Sequence, residues 1–177
     1  RTGTNQAVAG DVVSGLAAQV SRFRNNHNWE TGDLCLLWIG GNDVRNYILG
    51  PTLASDMENL AAEIGNRIRE LAQTDQVDHF LVPNLPDIGS IPESLGNPSA
   101  AAARTTVTIA FNAALETELN DLTNELTGVT IYQLDIFNLF DQMLMNSLDY
   151  GFLNVTEPYS SASGSPDPTT YAFYDDI

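Results

Sequence analysis

The chain contains no lysine. Its positive charge rests on 7 arginines against 23 carboxylates, for a formal net charge of −16. Such a surface repels polyanions, so binding through a nucleic-acid backbone or to an anionic membrane is excluded. Cysteine is nearly absent too. Cys35 stands alone, cannot form an intrachain disulfide, and lies in an apolar run with no neighbouring base, which reads as a buried structural thiol. There are only two histidines, His27 and His79. No apolar run reaches the roughly 18 residues that a membrane-spanning helix needs. No glycine-rich phosphate loop occurs, which argues against a nucleotide-binding module. The chain begins at Arg1 without an initiator Met, so it is expected to be a piece of a longer gene product, and the lack of a leader says nothing about compartment.

What is present is an alternation of short apolar runs and helical stripes. Val12, Val13, Leu16, Val20 and Phe23 share one face of a helix expected over 11–24. Leu34 to Ile39 reads as a strand buried on both faces. Leu53, Met57, Leu60, Ala61, Ile64, Ile68 and Leu71 predict a helix over 55–74, with Ser55 and Glu58 as a capping box. A second strand is expected at 79–83. A long helix over 99–127, carried by Val107, Phe111, Leu115, Leu119, Leu122 and Leu126, stops at Gly128. A third strand is expected at 129–134 and a helix at 136–148, where Phe140, Met143 and Met145 read as core or acyl-pocket lining. Residues 149–170 read as loop, and Asn154-Val155-Thr156 is a formal glycosylation sequon. Strands alternating with helices imply a parallel sheet with helices on both faces, in one domain over 1–177.

Four short elements fall where strands end or helices begin. They are Asn5-x-Ala7-x-x-Gly10-Asp11, Gly40-Gly41-Asn42-Asp43, Pro83-Asn84-Leu85-Pro86-Asp87-Ile88-Gly89, and the terminal Asp175-Asp176-Ile177. The apolar run ending at Gly40-Gly41 places Asn42 beyond the carboxyl end of a strand, where open α/β sheets bind ligands. Each element alone is a common turn or a solvated acid. Their order together resembles the GDSL, or SGNH, family of serine esterases and lipases. The run from Leu81 to Pro92 looks like the subgroup that includes plant lipases and bacterial thermolabile-haemolysin and choline-ester relatives.

The resemblance implies a flavodoxin-like three-layer α/β/α sandwich. Carried over residue by residue, Gly10 matches the glycine whose N–H helps form the oxyanion hole, and Asn42 matches the asparagine whose amide is the other donor. Asp175 matches the acid that orients the histidine. The chain departs from the pattern at both ends. No Gly-Asp-Ser occurs in it, Ser14 and Ser90 sit in other contexts, and the position three beyond Asp175 lies past Ile177. The domain is therefore expected to be incomplete, with the central first strand and its serine supplied by other residues or another piece. His27 and His79 read as structural or solvent-facing, and Asp43 as a cap for the Asn42 turn. The activity implied is cleavage of small-molecule or lipid carboxylic esters through a serine acyl-enzyme, with no metal or organic cofactor, in a secreted, surface or periplasmic protein. The other reading is a non-catalytic SGNH-like binding or structural protein.

Overall fold

The structure is a computed structural model that describes residues 4–164 and 166–175. It divides into two compact units. One comprises the chain up to Asn84 with Ala110–Leu134, the other Leu85–Ile109 with the chain from Asp135 onward.

The first unit is built on three short parallel strands, β1 (Leu34–Leu36), β2 (His79–Pro83) and β3 (Thr130–Leu134). They pair in chain order, with Cys35 opposite Phe80 and Phe80 opposite Ile131. The expected third strand forms one residue late. The first strand ends early, at Leu36, although the Leu37 N–H still donates to the Leu81 carbonyl at 3.0 Å. Alternation of side chains sends Cys35, Phe80 and Val82 into the core. The first strand is thus not buried on both faces as its continuous apolar run predicts: Leu34 and Leu36, with Tyr132 and Leu134 on β3, are about half exposed, at 43–58%. The outer edge of β1 pairs with no strand among the described residues.

The helices of this unit are α1 (Leu16–Asn26), α2 (Gly41–Asn46), α3 (Leu53–Asp75) and the second half of α5 (Pro98–Glu125). A 3-10 turn at Val13–Gly15 leads into α1, so the helix expected over 11–24 starts late, at Leu16, and ends late, at Asn26. Helix α3 buries Met57, Ala61, Ile64, Ile68 and Leu71, and α5 buries Phe111, Leu115, Leu119 and Leu122. Both stripes are the ones read from the 3.6-residue period. The two helices touch at Gly65, where a Cβ would lie 2.0 Å from Glu118 Oε1, and Arg69 donates to Glu118 and Glu125 at 2.9 Å each. The capping box does not form. Helix α3 starts at Leu53, so Ser55 already lies in its first turn and donates to the Thr52 carbonyl at 2.9 Å.

The second unit contains α4 (Pro92–Leu95), the first part of α5, and α6 (Ile136–Met145), whose start is capped by Asp135 accepting from the Asn138 N–H at 3.1 Å. Beyond α6, among the described residues, the chain is organised by 3-10 turns and one isolated bridge, Asn154 to Tyr171. The Tyr159 N–H donates to the Phe173 carbonyl at 2.9 Å and the Ser160 N–H to the Tyr174 carbonyl at 2.8 Å. Phe173 is buried and meets Phe140 edge-on at 5.9 Å. Met145, where the helix ends, is 74% exposed and lines no core, while Met143 is half-buried.

Candidate active site

Beyond β1 the chain must turn sharply from the strand into α2. Gly40 makes that turn at φ +109°, a conformation that favours glycine, and a Cβ there would lie 2.5 Å from the Phe111 ring. Gly41 has no such constraint, since an added Cβ would meet nothing within 4 Å. Val44, fully buried, pins α2 to the core. Asn42 therefore sits in the first turn of a short helix rather than in a loop.

Against this helix start lies the segment from Val8 to Val13. The Asp11 N–H donates to the Val8 carbonyl at 3.2 Å, closing a turn that holds Gly10 at φ +79°. Gly10 thus precedes the first helix instead of starting it. Among the described residues its N–H has no hydrogen-bond partner. Two bonds of opposite direction join this segment to α2. Asn42 Nδ2 donates to the Asp11 carbonyl at 2.8 Å, and the Val13 N–H donates to Asp43 Oδ2 at 3.0 Å. Because its partner is a carbonyl oxygen, the Asn42 amide must turn its nitrogen that way. A primary amide has two N–H hydrogens, and this bond uses one.

The Asp11 carboxylate is itself held, accepting from the Val12 N–H at 3.1 Å and from Gln19 Nε2 at 2.7 Å. A Cβ on Gly15 would lie 2.0 Å from Asp11 Oδ1, so Gly15 makes room for that carboxylate. Burial raises the carboxyl of Asp43 above its ordinary range. The Val13 N–H opposes the shift, while Glu63 and Asp11 add to it.

The structure brings Gly10 and Asn42 together through neighbouring residues of one unit. Asp175 belongs to the other unit, where it is exposed and follows the anchored stretch Phe173–Tyr174. Asp176 and Ile177 lie outside the described residues. His79 opens β2, at the end of the strand opposite the turn that carries Asn42, with its ring 6.1 Å from Tyr132. His27 follows α1 and leans on Phe23 at 5.2 Å. Ser90 donates to Asp87 at 2.9 Å. Burial pushes the Cys35 thiol up to about 12, so it stays protonated at neutral pH and is no nucleophile. Among the described residues no group of three or more His, Cys, Asp or Glu is placed to hold a metal ion.

Sequence reasoning misses the parts played by Asp11, Val13, Gly15 and Gln19. Gly15 at a helix start, where alanine is the better helix former, is the one signal that a close approach is needed.

A family model described as GDSL-like lipase/acylhydrolase matches residues 1–177. A phosphatidylcholine-sterol acyltransferase of Aeromonas hydrophila is 25% identical over 174 residues, which cover 92% of this chain and 49% of that protein. A GDSL esterase/lipase of Arabidopsis thaliana is 25% identical over 142 residues, covering 71% of this chain and 38% of that protein. The chain thus spans about half the length of the first relative and less of the second. With the match running over all 177 residues, and with its α/β fold on a parallel sheet, the chain belongs to the GDSL-like lipase/acylhydrolase family.

Proposed function

We propose that the complete protein cleaves carboxylic esters of small molecules or lipids through a serine acyl-enzyme, with the Gly10 N–H and the Asn42 amide as oxyanion donors. The observation that carries this reading is the bond from Asn42 Nδ2 to the Asp11 carbonyl at 2.8 Å. It fixes the amide plane, ties it to the residue after Gly10, and leaves one N–H hydrogen for a ligand. Attack on an ester carbonyl places a full negative charge on its oxygen. Donors already oriented toward that oxygen stabilise the transition state without reorganising. Asp175 would hold the tautomer of a histidine and stabilise the imidazolium, while that histidine takes the serine proton and passes it to the departing alcohol.

The serine and the histidine would come from segments of the protein beyond these 177 residues. The outer edge of β1, unpaired among the described residues, and the half-exposed apolar face of Leu34, Leu36, Tyr132 and Leu134 support an added strand with its own covering helix, since parallel sheets are normally covered on both faces. Hydrolysis and acyl transfer share the acyl-enzyme and differ in whether water or another alcohol accepts the acyl group. An extracellular, surface or periplasmic location fits the acidic, lysine-free composition.

The test is turnover of a short-chain p-nitrophenyl ester by the complete protein, with labelling by a fluorophosphonate. Hydrolysis and labelling that both depend on one serine outside residues 1–177 are expected. Absence of both from a folded complete protein would favour a binding role instead.

A further inference from the structure

We propose that Asp43 is a positioning residue whose carboxylate clamps the Gly10 segment to the start of α2 and so sets the spacing of the two oxyanion donors. The inference rests on the esterase reading for its catalytic consequence, though not for the clamp itself. Asn42 and Asp43 are adjacent on one short helix. Between them they bond two backbone groups of the opposing segment, the Asp11 carbonyl and the Val13 N–H. One bond runs out of the helix and the other runs into it. Together they restrain both translation and rotation of the segment, which neither does alone.

Val13 is fully buried, and its N–H lies in the first residue of a 3-10 turn, where no earlier turn of helix offers an acceptor. Without Asp43 that donor would be buried and unpaired. The acids facing Asp43 are Glu63 from α3 and Asp11 from the opposing segment, and both disfavour its charge. A half-buried carboxylate held among like charges is a poor choice for stability alone. It is a sound one where a fixed acceptor is needed beside Asn42.

The linkage has a definite sign. Because burial raises the Asp43 carboxyl in the fold, its contribution to stability is fully present below the unfolded pKa and is lost as pH rises through the folded one. The neutral variant Asp43→Asn escapes that loss and keeps an oxygen that can accept from Val13.

The experiment compares Asp43→Ala and Asp43→Asn in the complete protein, following amide exchange at Val13 and p-nitrophenyl ester kinetics. Asp43→Ala should strip the Val13 amide of protection while amides inside α3 keep theirs. It should lower kcat by about 10- to 100-fold with little change in KM, the cost of a misplaced donor. Asp43→Asn should restore both readouts in large part, and its stability relative to the parent should rise from acid to neutral pH. Unchanged Val13 protection in Asp43→Ala, or unchanged kcat in that variant when the parent turns over, overturns the proposal. If the parent neither hydrolyses ester nor takes the fluorophosphonate, the esterase reading fails, and Val13 exchange still decides the clamp.

Discussion

Two polar regions of this chain look alike in sequence and differ in what they leave unspent. One is the pair of segments around Gly10 and Asn42, and the other is the turn around Asp87. Both carry glycine, asparagine and aspartate just beyond an apolar strand. In the second, Asp87 accepts from the Gly89 N–H at 2.8 Å and from the hydroxyls of Ser90 and Thr105 at 2.9 Å each. Ser94, fully buried, donates to the Ile88 carbonyl at 2.7 Å and accepts from Arg104 at 2.7 Å. Those groups bond one another, each of these donors finding its acceptor inside the cluster. Around Asn42 the bonding stops short: among the described residues one amide hydrogen and the Gly10 N–H have no partner. A network bonded inwardly holds a fold together, whereas one held rigid with donors to spare can receive a developing charge.

Removing the spare donor should produce the largest effect. Asn42→Ala in the complete protein is expected to lower kcat by about 10²–10³ with KM little changed, since the amide would meet full charge only in the transition state. Steady-state kinetics on a p-nitrophenyl ester measure it, and a near-parental kcat would reduce Asn42 to a turn residue. The inward network should respond in the opposite currency. A Cβ on Gly89 would lie 2.4 Å from the Ala101 carbonyl and 2.1 Å from the Thr105 hydroxyl. A backbone carbonyl cannot swing aside, so Gly89→Ala should destabilise by about 2–4 kcal/mol in denaturant titration. Activity per folded molecule should hold.

How much of this contrast is legible in the sequence depends on the range of the forces involved. The stripes of α3 and α5 repeat their apolar residues with a fixed period, so Ile64, Ile68, Leu115 and Leu119 reveal their faces without a partner in view. By contrast, β1 shows only as a continuous apolar run that cannot tell buried Cys35 from half-exposed Leu34 and Leu36. Helix α2 has six residues and one buried side chain, Val44, which is too little for a period to register. Ser55 and Glu58 have the spacing of a capping box, but Leu53 extends the helix one turn upstream and displaces it. The Gly10, Asn42 and Asp175 motifs are visible only by resemblance to a family. The bond from Val13 to Asp43 spans 30 residues and links a backbone group to a side chain, and no local pattern encodes it. Whether a given aspartate closes a network or supports a site is likewise decided by neighbours distant in sequence, Thr105 for Asp87 and Val13 for Asp43.

Asp87 itself offers a smaller test. Asp87→Ala abandons two hydroxyls and one N–H at a partly exposed site, so the cost should be about 1–3 kcal/mol, below that of Gly89→Ala. A urea midpoint shift with an unchanged slope would show that only stability moved. If kcat per folded molecule fell as well, Asp87 would belong with the site and the contrast between the two regions would weaken.

The smallest effect should come from Gly41→Ala, and it sharpens the comparison because Gly40 stands beside it. Gly40 needs a positive φ and packs its Cα face against Phe111, so Gly40→Ala meets both backbone strain and a ring 2.5 Å away. Gly41 opens α2 with no positive φ and has no atom within 4 Å of an added Cβ. Alanine is the better helix former, so Gly41→Ala should leave stability within about 0.5 kcal/mol of the parent or raise it. Open space beside the Asn42 helix start is what a site that admits a ligand requires, and Gly89 in the inward network has none. A new methyl group can also intrude on that space. Gly41→Ala should therefore raise KM for a bulky ester more than for a short one while the unfolding midpoint stays put. Equal KM changes for both esters, or a destabilisation matching that of Gly40→Ala, would show that the space beside Gly41 is not where substrate lies.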